Sequence, residues 1–342
     1  QFLIPKKTPV IDGVVNDEEW AGCVGVPITT GIFGMMERPS SYFWLGWDEE
    51  NFYVAQRLPM REGEKPLRCN REPKHDNVHC SETSIEVYVD RKEHGSHGSK
   101  CRYQFMGNAV GNQWDREDQY EIGQNFIGWD GEWQYKQRLT PDGKFWEAEI
   151  AIPRKTVYQK EPLKNGDLWW IGLATNLHRP MCFSGFYGWK IAATFVDSVP
   201  EIRLFYPERG LPGKRMSFDM TVRNTTGQKF EGSLIARLWG NHGPKGECVT
   251  EFEKTLPVSV EPGMEQKLAM DEAMDQAKDG IAYTISIMVV KPDGKSVYTW
   301  SYPIKYNIPE NKAGLSYEPD TAPFPMAIAY NPLSNYVRVA VD

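Results

Sequence analysis

Apolar and polar residues alternate along much of this chain, most clearly in residues 84–115. Ile85, Val87 and Val89 alternate with polar neighbours, which is the pattern of a strand with one buried face. The next segment, DRKEHGSHGSK, has no apolar residue and predicts a solvated loop. YQFMGN then resumes a strand, and an Asn- and Gly-rich turn, GNAVGNQWD, follows it. The pattern predicts a β-hairpin with a polar tip and an amide-rich turn after it.

Two further hairpins follow from the same alternation. Residues 41–58 read as two strands joined by the turn DEEN, and residues 132–157 as two strands joined by a PDG turn. Pro153 ends the second hairpin, since proline donates no hydrogen bond to a central ladder. Residues 168–179 predict a buried strand, and residues 201–206 a strand that closes this first unit.

The connections between these strands are more polar. Residues 8–20 predict a short strand, a turn at Asp12-Gly13 and an acidic helical turn, and residues 116–123 an acidic loop. Glu147 and Glu149 fall on one face of a predicted strand. We expect them to be its solvated polar face rather than a catalytic pair.

After Gly210 the composition changes to alternating strands at roughly ten-residue spacing, which is typical of an immunoglobulin-like sandwich. The predicted fold class is all-β, with a jelly-roll-like β-sandwich and a smaller immunoglobulin-like β-sandwich. The predicted domains are the first sandwich at 1–207, the second at 211–308, and a Pro-rich linker with terminal strands at 309–342. The stop at Asp342 indicates either further domains of a longer chain or a final strand packed on the second sandwich.

Composition narrows the functional classes. The net charge of −7 disfavours nucleic acid and anionic membrane surfaces as partners, and no apolar run is long enough for a membrane span. Twelve tryptophans are present, ten of them before residue 207. Such density is common both in β-sandwich cores and in sugar-binding proteins. Six cysteines favour a secreted protein, with Cys69–Cys80 as the tightest candidate disulfide.

Candidate ligand-binding residues are aromatic rings and amides predicted on loops. Tryptophans in strand patterns are expected in the core: Trp44, Trp146, Trp169 and Trp170. Loop tryptophans either stack on a ligand or anchor their loops. Amides and a carboxylate beside them either hydrogen-bond the hydroxyl groups of a sugar or form Asx turns. The residues predicted to bind a ligand are Asn108, Gln113, Trp114, Asp115, Trp129 and Trp189.

No motif for catalysis or for a closed metal site is present. The chain lacks a nucleophile elbow, a P-loop and a Rossmann glycine pattern, so we expect no catalytic residue in it. Cysteines and histidines in residues 69–80 match no zinc module. Loop carboxylates are the better metal candidates, as hard oxygen donors for calcium, namely Asp17, Glu18, Asp48, Glu50, Asp90, Asp115, Glu117 and Asp118.

Several of these segments occur together in a known family. IDGVVNDEEW, WLGWDEENFYVA, SIEVYVD, YQFMGNAVGNQWD, GKFWEAEIAIPRKTV and GDLWWIGLATNLHR stand in the order found in family 9 carbohydrate-binding modules. Residues 1–207 therefore resemble that family and its DOMON-like relatives. The resemblance implies a β-sandwich that often binds calcium and the ends of glucan or xylan chains. Such modules usually belong to larger extracellular enzymes that degrade polysaccharides.

The resemblance departs from the family at the sugar clamp. Members that bind sugar hold it between two tryptophans, and the first of these positions falls near Cys80 in this chain. Trp189 is the aromatic residue nearest the second position, and Trp114, or Trp129 with Trp133, would be the substitute platform. We therefore expect a non-catalytic, extracellular or periplasmic carbohydrate-binding protein, or an accessory module of a glycan-degrading protein. The alternatives are a structural or protein-interaction module that has lost sugar binding, and a fragment of a glycoside hydrolase.

Overall fold

The computed structural model describes residues 2–31, 36–66, 82–91, 103–119, 124–126, 128–179, 182–205, 215–278, 281–305, 326–331 and 336–341. Every helix or strand assigned in these residues is a β-strand, which confirms the predicted all-β class. The strands of the first unit are β1 (Phe2–Pro5), β2 (Val24–Gly31), β3 (Met36–Trp47), β4 (Asn51–Pro59), β5 (Ser84–Asp90), β6 (Tyr103–Asn108), β7 (Gln113–Gln119), β8 (Gln124–Phe126), β9 (Gln134–Leu139), β10 (Phe145–Pro153), β11 (Leu168–Arg179) and β12 (Cys182–Val196).

These strands form one long sheet that folds back on itself. The order is β8-β7-β6-β5-β11-β12-β2-β3-β4-β10-β9, and β1 pairs with β12. Side chains from the two halves meet inside: the Thr175 hydroxyl on β11 lies 2.8 Å from the Ser41 hydroxyl on β3. The ring centroids of Phe52 on β4 and Trp169 on β11 are 5.9 Å apart. The halves are therefore the facing layers of a β-sandwich.

The three predicted hairpins are present with defined register. Trp47 on β3 lies opposite Phe52 on β4, and Asp48 accepts a 2.8 Å hydrogen bond from the backbone N–H of Asn51 in the turn between them. β5 pairs with β6, and β9 pairs with β10, both antiparallel. Alternation fixes these registers because a shift of one residue would turn every buried side chain outward.

Three strands lie where the sequence predicted other structure. The N-terminal strand is Phe2–Pro5, which pairs parallel with β12, rather than a strand within residues 8–20. Residues 116–119, predicted as an acidic loop, continue β7. Arg116 and Asp118 form an ion pair there at 3.4 Å, so charged side chains of alternate positions neutralise each other on a strand. β12 occupies residues for which a loop was expected.

The prediction that Glu147 and Glu149 are solvated was wrong. Both carboxylates are buried, with exposed fractions of 1% and 0%. The segment between β1 and β2 crosses the outer face of β10, and there the backbone N–H of Gly13 and the indole N–H of Trp20 donate to Glu149 at 2.8 and 2.9 Å. The outer face of this strand is therefore a second packed layer rather than a solvent boundary.

A second unit follows the first. Its strands are β13 (Glu201–Phe205), β14 (Arg215–Arg223), β15 (Phe230–Asn241), β16 (Cys248–Val260), β17 (Glu265–Ala273), β18 (Ala282–Val290) and β19 (Ser296–Lys305). They form the sheets β13-β14-β17 and β16-β15-β18-β19. Leu234, Ile285 and Met220 belong to the same apolar core, so side chains of both sheets are buried together. The immunoglobulin-like assignment of this unit stays a prediction.

The two units share contacts, and β13 lies between them. This strand was predicted to close the first unit, but it pairs along its length with β14 of the second. The backbone N–H of Gly22 donates to the buried Glu201 of β13 at 3.0 Å. The indole N–H of Trp300 on β19 donates to the carbonyl of Pro27 on β2 at 3.3 Å. One continuous apolar core joins the units.

The remaining strands are the predicted terminal pair, β20 (Met326–Asn331) and β21 (Tyr336–Val341), which are antiparallel. The predicted linker at 309–325, most of the predicted polar loop tip (92–100) and residues 67–81 lie outside the described residues. Among the described residues, no helix is of the length and apolar character required to cross a membrane.

Candidate functional site

The candidate site lies on the outer face of β5, β6, β7 and β11. Along β5, Ile85, Val87 and Val89 enter the core, so Glu86 and Tyr88 point to the opposite face. The register continues this face across the sheet, because directly paired residues share a side. Glu86 lies opposite Met106 on β6 and Ala174 on β11, and Tyr88 lies opposite Gln104.

Glu86 is the centre of a hydrogen-bonded network on this face. The Gln104 amide donates to Oε2 of Glu86 at 2.8 Å and to the Tyr88 hydroxyl at 3.1 Å, and the Tyr88 hydroxyl itself donates to Oε2. On the other side, the Asn176 amide donates to Oε1 of Glu86 and, at 2.9 Å, to the Ser84 hydroxyl. We call these five residues the Glu86 network.

Burial makes this network unusual for the outer face of a strand. The exposed fractions of Glu86, Gln104 and Asn176 are 4%, 6% and 1%. Among the described residues, the donors to the Glu86 carboxylate are all neutral, namely two amides and a hydroxyl. A carboxylate has about four acceptor positions. The arrangement therefore offers a fixed, charge-assisted acceptor among groups that both donate and accept.

Trp114 and Arg116 extend the same face onto β7. Trp114 lies opposite Met106, and Arg116 opposite Gln104. Neighbouring strands are about 4.8 Å apart, so Trp114 stands about 10 Å from Glu86, two strands away. Both β7 side chains are half-buried, and the Arg116 guanidinium is 5.8 Å from the centroid of the Trp114 ring. An aromatic ring, a cation and the Glu86 network thus share one face.

The other predicted ligand residues gather on the core side of β7. Asp115 is fully buried and accepts from the backbone N–H of Gly131 at 3.2 Å and from the indole N–H of Trp133 at 2.8 Å. The Gln113 amide donates to the carbonyl of Trp133 at 3.2 Å. These contacts fasten residues 128–133 to β7.

Asn108 forms the Asx turn that the sequence left open as one alternative. Its side-chain oxygen accepts from the backbone N–H groups of Val110 and Asn112 at 3.1 and 2.9 Å, and its amide donates to Glu82. Asn108 is buried, with an exposed fraction of 1%. Its side chain therefore shapes the turn between β6 and β7.

The predicted tryptophans divide between core, loop and strand. Trp44, Trp146 and Trp169 are buried as expected, and Trp170 is half-buried. Trp129 lies on a loop, as predicted, and is half-buried. Trp114 and Trp189 were predicted on loops but lie on β7 and β12, and the Trp189 side chain is outside the described part. Trp133 is mostly buried against Phe105, with ring centroids 5.5 Å apart.

The outer face of β10 does not supply an accessible acid pair. Glu147 accepts from the Arg57 and Arg138 guanidinium groups at 2.9 and 2.8 Å, and Glu149 from the segment that covers it. Burial raises the pKa of Glu149 to about 7, against the lowering effect of the hydrogen bond from Trp20. A catalytic carboxyl must contact its substrate, and the protein encloses both of these.

The predicted calcium donors do not converge in the part of the chain that the structure describes. No group of three or more His, Cys, Asp or Glu side chains suited to a metal ion occurs there. Asp48 accepts from the Tyr53 hydroxyl at 2.6 Å, Asp17 pairs with Arg57 at 3.0 Å, and Glu50 pairs with Arg154 at 3.0 Å. The Cys69–Cys80 pair and the nearby histidines lie outside the described residues, whereas Cys23 and Cys248 are free thiols.

A groove of about 740 Å³ lies between the units, walled by Asp17 and Glu18 on one side and by β13, β14 and β17 on the other. Its walls carry both signs of charge, including Glu201 paired with Arg203. Asp17 and Lys267 in its walls also form ion pairs within the protein, and we assign the groove no ligand.

Comparisons with known proteins return structures rather than a family. No family model and no curated protein sequence matches the chain. A family 9 carbohydrate-binding module from Caldicellulosiruptor kristjanssonii, in complex with cellotriose, is similar at a TM-score of 0.41 and 15% identity, over 58% of this chain and 94% of that one. A putative carbohydrate-binding protein from Bacteroides uniformis has a TM-score of 0.40 and 13% identity, over 57% and 99%.

A glycoside hydrolase gives a weaker match. Bacteroides uniformis beta-glucuronidase 2 has a TM-score of 0.26 and 9% identity, over 82% of this chain but only 32% of its own. At such TM-scores none of these similarities carries a conclusion about activity or ligand. The case for function therefore depends on the site itself.

Proposed function

We propose that this chain is a carbohydrate-binding protein and that the Glu86 network, with Trp114 beside it, receives the sugar. The observation that carries the proposal is a buried carboxylate held by neutral amides and hydroxyls on the outer face of a sheet. Sugars present adjacent hydroxyl groups that each donate and accept. Gln104, Tyr88 and Asn176 occupy three of the roughly four acceptor positions of the carboxylate, which leaves about one for a sugar hydroxyl. The half-buried Trp114 ring offers a flat apolar face to the C–H groups of a pyranose.

The wider role follows the resemblance rather than the geometry. We propose a non-catalytic, extracellular module that positions a larger glycan-degrading protein on its polysaccharide. Calcium, the DOMON-like relationship and the immunoglobulin-like second unit belong to this proposal. A hydrolysis assay on aryl glycosides and soluble glucans tests the non-catalytic part, and turnover that survives removal of contaminating enzymes would contradict it.

One observation favours a second function, a structural module without a ligand. The hydrogen bonds described within the Glu86 network are all internal, so the network stabilises the sheet even when nothing is bound. In that case the face would be a packed layer like the outer face of β10.

Ligand titration of two variants separates these functions. Isothermal titration with cello-oligosaccharides and soluble xylan measures the dissociation constant. Trp114→Ala should weaken binding roughly tenfold through loss of stacking. Glu86→Gln should weaken it at least about tenfold, because it removes charge-assisted hydrogen bonds.

Two matched variants in the second unit are the controls. Trp239 is also a half-buried tryptophan on a strand, and Glu231 is an exposed glutamate. Trp239→Ala and Glu231→Gln should bind like the unchanged protein. Equal affinity in all four variants would contradict the assignment of the site, and absence of binding by the unchanged protein would favour the structural module.

A further inference from the structure

A second feature, on the opposite side of β6, is the turn that follows β10. The backbone N–H of Thr156 bonds to the carbonyl of Pro153 at 3.0 Å. The N–H of Tyr158 bonds to Lys155, and the N–H of Gln159 to Arg154, both at 2.9 Å. These last two bonds are the pair that defines a Schellman motif at the end of a helical turn. Tyr158 occupies the position where that motif normally has glycine.

The backbone of Tyr158 is strained. Its φ is +56°, and among the described residues it is the single non-glycine residue with a positive φ. A side chain in this left-handed region crowds its own backbone, whereas glycine adopts it freely. Strain of this kind persists only where the surrounding structure enforces it, and it is most common at functional sites.

Burial of the Tyr158 side chain does not offset the strain. It is 57% exposed, more than is usual for a large aromatic residue. The indole N–H of Trp129 donates to its hydroxyl at 3.4 Å, a long and weak bond. Tyr103 lies under both rings, with centroids 5.3 Å from Trp129 and 6.3 Å from Tyr158. Two aromatic rings therefore stand side by side at the surface on an aromatic base.

The partner ring is held in place by its loop. A methyl group on Gly131 would lie 2.7 Å from the Trp129 ring, so the ring lies directly on this glycine. Asp115 fixes the loop through the Gly131 N–H and the Trp133 indole, and the Thr156 hydroxyl donates to the carbonyl of Glu132. The turn and the loop are thus tied together, and Trp129 is oriented before any ligand arrives.

We propose that Trp129 and Tyr158 form a second carbohydrate-stacking platform, which contacts a glycan chain away from the Glu86 network. The two rings are flanked by the exposed Asp130 and Lys155, polar groups of the kind that hydrogen-bond hydroxyls. Two rings provide far less than the roughly 800 Å² per partner of a stable protein interface. The exposed faces of two aromatic rings suit a sugar ring instead.

The platform takes its ligand class from the proposed function but is a separate site. On one face of β6, Tyr103 and Phe105 contact the Trp129 ring. On the other face, Gln104 and Met106 lie beside Tyr88 and Glu86. Loss of one site therefore leaves the other intact. A long polysaccharide that reaches both would bind more tightly than a short oligosaccharide.

The test is Tyr158→Gly in the full chain, probed with soluble xylan and β-glucan. Glycine relieves the strain, so the melting temperature should rise by roughly 2 °C. Affinity for the polysaccharide should fall about threefold to tenfold. Trp129→Ala should show the same loss of affinity without the gain in stability. Unchanged affinity in Tyr158→Gly would overturn the proposal.

A combined variant separates this proposal from the first. In Glu86→Gln/Trp114→Ala, residual polysaccharide binding that disappears on adding Tyr158→Gly would support the platform. Complete loss in the double variant, with no effect of Tyr158→Gly alone, would overturn the platform and leave the proposed function standing. The reverse pattern would overturn the Glu86 assignment and retain the platform, and absence of binding by the unchanged protein would overturn both.

Discussion

At the scale of single residues, Glu149 shows how one side chain fastens a long segment. Its carboxylate is enclosed by the backbone N–H groups of Asp12 and Gly13 and by the Trp20 indole. These residues belong to the IDG and DEEW portions of the sequence, so one acceptor on β10 fixes both ends of the segment between them. The cost is a buried charge, since the donors are neutral and water is excluded.

This enclosure predicts a pH-dependent stability. Burial raises the pKa of Glu149 from 4.5 to about 7 in the folded protein. Between those values the folded state binds more protons than the unfolded chain, so the free energy of unfolding should fall as the pH rises through the window. Glu149→Gln carries no ionisable group there. Its free energy of unfolding should therefore increase by about 2–3 kcal/mol relative to that of the unchanged protein as the pH rises from about 5 to about 8.

Urea unfolding of both proteins across this pH range measures the effect. If the free energy of unfolding falls equally with pH in both proteins, Glu149 is not the group responsible. Glu132→Gln, at an exposed position, is a suitable control and should reproduce the slope of the unchanged protein.

At the scale of elements, the Tyr135 ring leaves no room for a side chain at Gly107 on the core side of β6. A methyl group on Gly107 would lie 2.4 Å from the ring of Tyr135, whose hydroxyl donates to the carbonyl of Asn108 at 2.7 Å. Gly107→Ala should therefore cost about 1–3 kcal/mol in the free energy of unfolding. Gly128→Ala, at a position with open space around it, should change it by less than about 0.5 kcal/mol. Chemical denaturation measures both, and equal values would show that the Tyr135 ring moves aside.

The elements also show what the sequence determines. Alternation and turn residues predicted the hairpins β3–β4, β5–β6 and β9–β10, since both signals are local. β12 was missed because CFSGFYGWKIAATFV mixes glycines with aromatics and lacks a regular period. The parallel pairing of β1 with β12 joins distant parts of the chain, and no local pattern encodes it.

The candidate site was predictable only in part. Alternation places Glu86 and Tyr88 outside the core, but it does not tell whether another segment covers that face. Glu86, Gln104 and Asn176 were missed because alternation does not reveal that they are buried in a network. Glu149 was misassigned because a distant segment covers it. Asn108 and Asp115 were selected for their chemistry. Asn108 closes a local turn, whereas the Trp133 partner of Asp115 comes from a later segment. The signal was present in β5, where every second residue is polar.

At the scale of the whole molecule, the two units are coupled by a shared core. Trp300 of β19 is fully buried, and its indole N–H reaches the carbonyl of Pro27 in the first unit. Phe2 of β1 and Tyr298 of β19 have ring centroids 6.0 Å apart, and both are buried. Separation of the units would expose these rings, at about 25 cal/mol for each Å² of apolar surface.

We therefore expect the two units to unfold together. Trp300→Ala should lower the free energy of unfolding by about 3–5 kcal/mol, because it leaves a cavity where the units meet. Trp239→Ala, at a half-buried position in the same unit, should cost less, since its ring is already partly in solvent. Calorimetry of the unchanged protein should give one cooperative transition. If it gives two, and Trp300→Ala shifts only the one that belongs to the second unit, the shared core does not couple the units, and residues 1–207 would be stable alone.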